Sequence, residues 1–156
     1  MQGCKLQEET GDMKVSNILQ AKGADVHDVR PDETVAKAAQ VLAAHNIGAV
    51  LARHPDGSLA GIISERDIVR RIAKDGAAVL DRPASEIMTR NLHTCKAEDT
   101  VDRLMEIMTA QRIRHVPVVD EDGKVLGMIS IGDVVKRKIE ESAREAEVLK
   151  EYIATG

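Results

Sequence analysis

Two serine–aspartate pairs are the residues of this 156-residue chain whose types and spacing are suited to chemistry. Each pair closes a Gly-x-x-Ser-x-x-Asp motif, which ends in Ser64 and Asp67 in one place and in Ser130 and Asp133 in the other. A carboxylate accepts hydrogen bonds from both hydroxyls of a ribose, as acidic residues do in dinucleotide sites. A serine at a helix start lies among free N–H groups that attract phosphate. The two pairs therefore favour a nucleotide site.

The same spacing has a second explanation, which needs no ligand. A serine at the N-cap of a helix, with an acidic residue three positions later, resembles a capping box. Three features favour the nucleotide hypothesis over capping alone. The acidic residue is Asp in both copies, although the longer Glu is usual in capping boxes, and a glycine precedes it by six residues each time. The motif also brings a strand end, a helix start and a carboxylate to one point of an expected cleft.

The motif belongs to a longer internal repeat. A shift of 66 positions places residues 25–72 on residues 91–138 without a gap and with fourteen identities. A repeat of this length is typical of a supersecondary unit that cannot bury its apolar face alone. We therefore expect two copies that pack on each other around a pseudo-twofold axis and leave two related clefts.

Apolar spacing and turn residues predict the elements of each copy. A brief strand near 26–29 or 92–95 comes first, and a helix with one apolar stripe follows it, with Thr100 as a plausible N-cap in copy two. Two strand-like runs joined by a glycine-containing turn then predict a β-hairpin, 49–53 with 59–63 in copy one. A second helix begins after the motif serine. The predicted fold class is α/β (α+β), with two β-α-β-β-α repeats.

These elements divide the chain into four segments. We expect a disordered leader at 1–12, repeat 1 at 13–80, repeat 2 at 81–140 and a C-terminal helical tail at 141–156. The tail has apolar residues near helical spacing among charged ones. Two interpretations of that stripe stay open, an exposed tail that frays and a surface that packs on a partner subunit. The stripe consists of Ile139, Ala143, Ala146, Leu149 and Ile153.

Composition excludes several classes of function. A net charge of −4 and a pI near 5.7 lack the basic footprint of nucleic-acid binding, and one Tyr without Phe or Trp leaves little for base stacking. Apolar runs are far shorter than a membrane span of about 20 residues, so we expect no membrane partner. The first twenty residues contain no apolar signal-peptide core, and Cys4 and Cys95 suggest no disulfide framework. A reducing cytoplasm is the expected location.

In combination, the repeats, the motifs and the run from Ile113 to Gly127 resemble tandem CBS domains, the Bateman module. The resemblance covers about residues 13–140. It implies a disc-shaped homodimer of paired repeats with adenosine nucleotides in the clefts. It also implies that Asp67 and Asp133 hold ribose and that Ser64 and Ser130 lie near ribose or phosphate. The chain departs from the pattern at two positions. Copy one has Leu51 where copy two has Pro117, and copy two has Ala97 where copy one has Pro31.

The resemblance implies further site residues around the adenine. Backbone around 26–28 and 92–94, together with the strand starts at 48–50 and 114–117, would frame the base. The candidates from these segments are His27, Asp28, Gly48, Ala49, Val50, Thr94, Arg114, His115 and Pro117.

The two candidate sites differ in their cations. Copy one carries Arg66 inside its motif, whereas copy two has Gly132 there and carries Arg112, Arg114 and His115 around its first hairpin strand. Arg binds phosphate bidentately. We therefore hypothesise that one cleft takes a mononucleotide such as AMP and the other takes a longer ligand, ATP or NAD(H). In the alternative interpretation, these arginines are solvated surface charges.

A metal site, an enzyme and a partner-binding disc are the alternatives to nucleotide sensing. His27, His93, His115 and Cys95 suit zinc by type, but no ligand spacing supports a site, so we expect no metal. The chain has no nucleophile elbow and no P-loop, so we expect no catalytic residues, although slow nucleotide processing stays an alternative. A partner-binding disc without nucleotide affinity is the other alternative. The favoured function is a regulatory sensor that needs no cofactor, binds AMP, ATP or NAD(H), and signals to a separate protein.

Overall fold

The computed structural model of the chain describes residues 13–23 and 26–155, with the backbone alone for 148, 149 and 151–155. The predicted leader at 1–12 lies outside these residues, as do the side chains of Leu149 and Ile153 in the predicted tail stripe. In chain order the longer elements are α1 (Val15–Lys22), β1 (Asp28–Val29), α2 (Val35–His45), β2 (Ala49–Arg53), β3 (Leu59–Ser64), α3 (Glu65–Asp75), α4 (Val101–Gln111), β4 (His115–Val119), β5 (Val125–Ser130) and α5 (Ile131–Thr155). The predicted mixture of helices and strands is confirmed.

Two compact units make up the chain, and neither is a continuous segment. The first unit comprises Met1–Gly23, Lys96–Val116 and Ile129–Gly156, and the second comprises Ala24–Cys95 and Pro117–Met128. Helix α1, which precedes copy one in sequence, therefore belongs to the unit that holds the helices of copy two.

Backbone hydrogen bonds hold α1 in the first unit. The Val15 N–H donates to the Asp99 carbonyl at 2.9 Å and the Ser16 N–H donates to the Ala97 carbonyl at 2.9 Å. In the other direction, the Val101 N–H donates to the Met13 carbonyl at 2.8 Å. A helix N-terminus leaves its first N–H groups without an intrahelical acceptor, and these bonds satisfy those of Val15 and Ser16 in α1 and of Val101 in α4.

The second unit repeats this arrangement with the corresponding residues. The Ala84 N–H donates to the Glu33 carbonyl at 2.7 Å, and the Ser85 N–H donates to the Pro31 carbonyl at 3.0 Å. The Val35 N–H donates to the Arg82 carbonyl at 2.9 Å. Each leading segment therefore pairs with the loop before the first helix of the other copy. Because Pro31 and Ala97 both act through their carbonyl oxygens, the exchange of proline for alanine leaves this pairing intact.

The first helix of each copy forms as its sequence predicts. The Thr100 hydroxyl accepts a hydrogen bond from the Arg103 N–H, so Thr100 is the N-cap of α4, and Thr34 caps α2 in the same way. Three members of each predicted stripe are buried and face the core: Val101, Leu104 and Met108 in α4, and Val35, Ala38 and Leu42 in α2.

The predicted hairpins are also present. Strand β2 pairs with β3 in antiparallel register, with Ala49 opposite Ser64, and β4 pairs with β5. Gly57 and Gly123 occupy the turns with φ of 89° and 80°, a conformation that favours glycine. Strand β1 lies parallel to β2, with Asp28 opposite Leu51.

The brief strand predicted at 92–95 is wrong. Copy two has only an isolated parallel bridge between Cys95 and Val118 where copy one has β1. In copy one the Leu51 N–H donates to the His27 carbonyl at 3.4 Å. Pro117 stands at the corresponding position and has no N–H to donate. The substitution therefore removes one ladder bond and shortens the pairing.

The glycine that opens the first motif is required by packing. A Cβ at Gly61 would lie 2.8 Å from the Met88 sulfur and 2.8 Å from the Thr89 carbonyl oxygen. Both contacts are closer than packed side chains tolerate. Ile62 is bridged to Thr89 by backbone hydrogen bonds, so the two segments cannot easily separate. In copy one this close approach accounts for the motif glycine without a ligand.

We expect Gly61→Ala to lower the free energy of unfolding by about 1–3 kcal/mol, because the added methyl overpacks a buried site. Gly132→Ala is the matched control. Its Cβ would meet only the Ser130 hydroxyl oxygen at 3.6 Å, and alanine should stabilise the helix by about 0.5–1 kcal/mol. Urea unfolding of both variants measures the two changes. Equal stability of the Gly61→Ala and wild-type proteins would contradict the packing explanation.

Candidate functional site

In the second unit, the copy-one candidates meet at one edge of the β1–β2–β3 sheet. Strands β1 and β2 are parallel and start at this edge, and the antiparallel β3 ends there. The Glu65 N–H, at the start of α3, donates to the Gly48 carbonyl at 3.0 Å. His27 precedes β1, and Ala49 lies opposite Ser64. The fold thus brings together three segments that the sequence separates widely.

Ser64 and Asp67 form a reciprocal cap at the start of α3. The Ser64 N–H donates to Asp67 Oδ2 at 3.1 Å, and the Asp67 N–H donates to Ser64 Oγ at 3.1 Å. This is the capping box that the spacing allowed. Asp67 Oδ1 accepts no hydrogen bond from any residue that the structure describes. The cap therefore occupies one carboxylate oxygen and leaves the other available.

Histidine rings lie beside this edge. The ring of His27 stacks on that of His45, with centroids 3.6 Å apart and planes inclined by 18°. His45 is the last residue of α2, and Gln111 stands at its repeat position in copy two. The sequence did not indicate His45 as a site residue, because its stacking on His27 depends on how α2 packs.

The remaining copy-one candidates have different surroundings. Asp28 forms a salt bridge to Arg53, so its carboxylate already has a partner. The side chains of Ala49 and Val50 are buried, which leaves only their backbone for a ligand. Arg66 is exposed and forms no ion pair with the described residues.

In the first unit, Ser130 and Asp133 form the same cap at the start of α5. The Ser130 N–H donates to Asp133 Oδ2 at 2.9 Å, and the Asp133 N–H donates to Ser130 Oγ at 3.1 Å. The Ile131 N–H donates to the Arg114 carbonyl at 2.8 Å, as Glu65 does to Gly48 in copy one. One feature is new. The ammonium of Lys22, the last residue of α1, lies 2.7 Å from Asp133 Oδ2.

The other copy-two candidates divide between the units. Arg112, Arg114 and His115 belong to the first unit with Asp133, whereas Thr94 and Pro117 belong to the second. Both arginines are exposed. Arg112 has a φ of 55° as the C-cap of α4, a left-handed conformation that Asn46 adopts at the end of α2. Asn tolerates this region better than most residues, so Arg112 is a strained choice.

The charge of Asp133 is fixed by its neighbours. Burial raises the pKa of the Asp133 carboxyl, but hydrogen bonds from Lys22 and from Ser130 outweigh burial and hold the pKa below its ordinary value. An ionised carboxylate accepts hydrogen bonds and donates none. Asp133 is therefore an acceptor at neutral pH, which suits hydroxyl binding and not proton donation.

The lowered pKa predicts how stability depends on pH. The unfolded chain binds a proton at Asp133 near pH 3.9, whereas the folded chain binds it at a lower pH. The stabilisation is complete above about pH 4 and is lost as the pH falls through the folded pKa. Asp133→Asn removes this titration, so its deficit in unfolding free energy should shrink below pH 4. Urea unfolding from pH 3 to pH 7 tests this, and a deficit independent of pH would contradict it.

Two features are absent from the described part of the chain. No three of their His, Cys, Asp and Glu side chains come together as a metal-binding group. None of their helices is both long enough and apolar enough to cross a membrane.

Lys22 is the second residue that sequence reasoning missed. It lies 111 positions from Asp133. A lysine at the end of a short helix is an ordinary favourable contact with the helix dipole. Only the placement of α1 with copy two shows that this lysine reaches a motif aspartate.

Known proteins share both the sequence pattern and the fold. The family model described as CBS domain matches residues 23–74 and 84–140. The mitochondrial CBS domain-containing protein CBSX3 of Arabidopsis thaliana is 36% identical over 96% of this chain and 77% of its own length. Inosine-5′-monophosphate dehydrogenase of Aquifex aeolicus is 37% identical over 70% of this chain, but over only 22% of the enzyme.

Solved structures of CBS-domain proteins have a similar fold. The CBS-domain protein ATU1752 of Agrobacterium tumefaciens is 48% identical, covers 81% of this chain and 94% of its own, and superposes with a TM-score of 0.76. PAE2072 of Pyrobaculum aerophilum, solved with AMP, is 29% identical over 78% and 89% of the two chains with a TM-score of 0.70. The CBS domain pair of protein MJ0100, solved with 5′-methylthioadenosine and S-adenosyl-L-methionine, is 27% identical over 84% and 99% with a TM-score of 0.76.

Proposed function

The chain belongs to the CBS-domain family, and on that premise we propose that it is a regulatory module whose two Ser–Asp motifs bind the ribose of adenosine ligands. One observation carries the proposal. In both copies Oδ2 of the motif carboxylate accepts the hydrogen bond of the helix cap, while Oδ1 accepts no hydrogen bond from the described residues. That oxygen is open to a ribose hydroxyl. Related CBS pairs have been solved with AMP or with S-adenosyl-L-methionine, which carry this sugar.

The copy-one edge supplies the other parts of a nucleoside site. Backbone at Gly48 and Ala49 faces the start of α3, where Ser64 and Asp67 lie. His27 offers a π surface in a chain that has no Phe or Trp. In the proposed complex, Asp67 holds the ribose, Ser64 and Arg66 hold phosphate, and the strand starts with His27 frame the adenine. Ser130 and Asp133 act likewise in copy two, with His115 of the same unit as the proposed framing residue.

The regulatory proposal extends to the energy or redox state of the cell. AMP, ATP and NAD(H) share the adenosine part, so all three compete for the same ribose contacts. Occupancy then reports their relative concentrations. Any ligand that binds only the folded protein stabilises it by mass action, and a signal requires two arrangements with different affinity. The receiver of that signal is a separate protein.

Binding fits the site better than catalysis does. Asp133 accepts hydrogen bonds from the Ser130 N–H and from Lys22. These hydrogen bonds stabilise the charged carboxylate and lower its pKa. A general acid or base needs a pKa near the working pH, and the lowered pKa of Asp133 does not provide one.

Asp67→Ala tests the ribose contact. We expect AMP to bind one site more weakly by about 1–3 kcal/mol, which is about 5- to 150-fold, because a charge-assisted hydrogen bond is lost. Isothermal titration calorimetry measures the affinity. Thr34→Ala is the matched control, since it removes a helix cap in the same unit at a cost of about 1 kcal/mol without touching the motif. If both variants lose stability and neither loses affinity, Asp67 only caps its helix.

We also propose that the chain forms a homodimer through the helices that follow the motifs. Val69 on α3 and Val135 on α5 are repeat equivalents and are 65% and 44% exposed, and Ile139 on α5 is 63% exposed. Exposed aliphatic residues at positions related by the repeat suit a twofold interface, in which each patch meets its own copy.

Ile139→Glu tests the dimer. The interface would place the new carboxylate twice within a small apolar area, so we expect the dimer to dissociate at micromolar concentration. Sedimentation equilibrium measures the mass. Thr109→Glu adds the same charge at an exposed position of α4 in the same unit and should leave the mass unchanged. A wild-type monomer would refute the proposed assembly, as would a dimer that Ile139→Glu leaves intact.

A further inference from the structure

Lys22 makes the two motif aspartates unequal. Its ammonium lies 2.7 Å from Asp133 Oδ2, the oxygen that also accepts from the Ser130 N–H. Lys22 is exposed and Asp133 is partly buried, at 36% and 23%, so water screens the carboxylate end of the pair less than the ammonium end. A ribose that binds Asp133 must share this carboxylate with a cation.

Among the described residues, no cation pairs with Asp67. Asp67 accepts a hydrogen bond only from its own cap among the described residues. The leading segments correspond at Val15 and Ala84, but the gapless repeat places residue 25 on Asn91, so copy one has three extra residues in between and Lys22 has no repeat equivalent. The pseudo-symmetry of the hydrogen bonds around α1 is thus retained while the charge is not.

We propose that Lys22 makes the Asp133 site selective for adenosine ligands that carry a phosphate, an inference that rests on the proposed function. A ribose hydroxyl that donates to Oδ1 draws on the negative charge that Oδ2 shares with the Lys22 ammonium. A nucleoside offers Lys22 no other anion, so its binding weakens the ion pair. A nucleotide offers phosphate oxygens, and the flexible four-carbon stem of lysine lets the ammonium follow them.

The surroundings of Asp133 support the same preference. Arg112 and Arg114 lie in the same unit, and both side chains are exposed. The repeat positions in copy one hold Asn46 and Gly48, which are neutral. Besides Lys22, copy two therefore carries two arginines at positions where copy one is neutral. Copy one, with Arg66 alone inside its motif, should discriminate less between nucleotide and nucleoside.

Calorimetric titration of AMP and adenosine into Asp67→Ala protein tests the proposal, because that background leaves the Asp133 site to be measured. We expect AMP to bind at least about tenfold more tightly than adenosine. In Asp67→Ala/Lys22→Met, AMP should weaken by about 10- to 100-fold, as for a lost charged hydrogen bond, while adenosine binds equally well or better. Lys22→Arg should retain the preference, and so should Lys37→Met, which removes an exposed lysine of the second unit.

Each alternative result has a definite meaning. An unchanged ratio of AMP to adenosine affinity in Asp67→Ala/Lys22→Met overturns the role of Lys22 and leaves the proposed function standing. Binding of AMP to the wild type but not to Asp67→Ala also overturns it, since the Asp133 site would then be inactive. Failure of the wild type to bind any adenosine ligand refutes the proposed function itself. Thermal unfolding of each variant confirms that folded protein is compared.

Discussion

The hydrogen bonds between each leading segment and a loop of the other copy determine what surrounds the two aspartates. Val15 and Ser16 donate to the loop before α4, and Ala84 and Ser85 donate to the loop before α2. Because of this exchange, α1 ends next to Asp133 instead of next to the motif of its own copy. The first unit therefore acquires an ion pair that the repeat alone does not encode, and the difference between the two sites follows from it.

Capping and ligand binding are compatible in this fold. A carboxylate has two oxygens, and the reciprocal cap uses Oδ2 in both copies. The cap holds the side chain in one orientation, which reduces the entropy that a ligand must remove on binding. The motif aspartate can therefore cap its helix through one oxygen and bind a ribose hydroxyl through the other. In copy one the glycine has a separate reason, the close approach of Met88 and Thr89.

Local features could be predicted from the sequence, and distant pairings could not. The predictable features depend on residues within one turn or one strand of each other. They are the N-caps at Thr100, Ser64 and Ser130, the helical stripes and the hairpins. The strand predicted at 92–95 is absent because Pro117, which lies more than twenty positions away, has no N–H to donate to it. The contacts Lys22–Asp133 and His27–His45 need the packing of helices whose neighbours no periodicity specifies. The proposed framing of adenine came from the family resemblance and stays a prediction.

Arg112 gives the copies unequal backbones as well as unequal charges. A residue with a long side chain in the left-handed region costs about 1–2 kcal/mol relative to a relaxed one, a cost that Asn46 largely avoids. The turn after α4 is consequently the more strained of the two equivalent helix ends. An anion bound by this guanidinium would contact a strained segment, whereas the equivalent segment of copy one ends in an Asn that tolerates the same backbone conformation. Ligand binding at the two copies would therefore act on backbones that differ in strain.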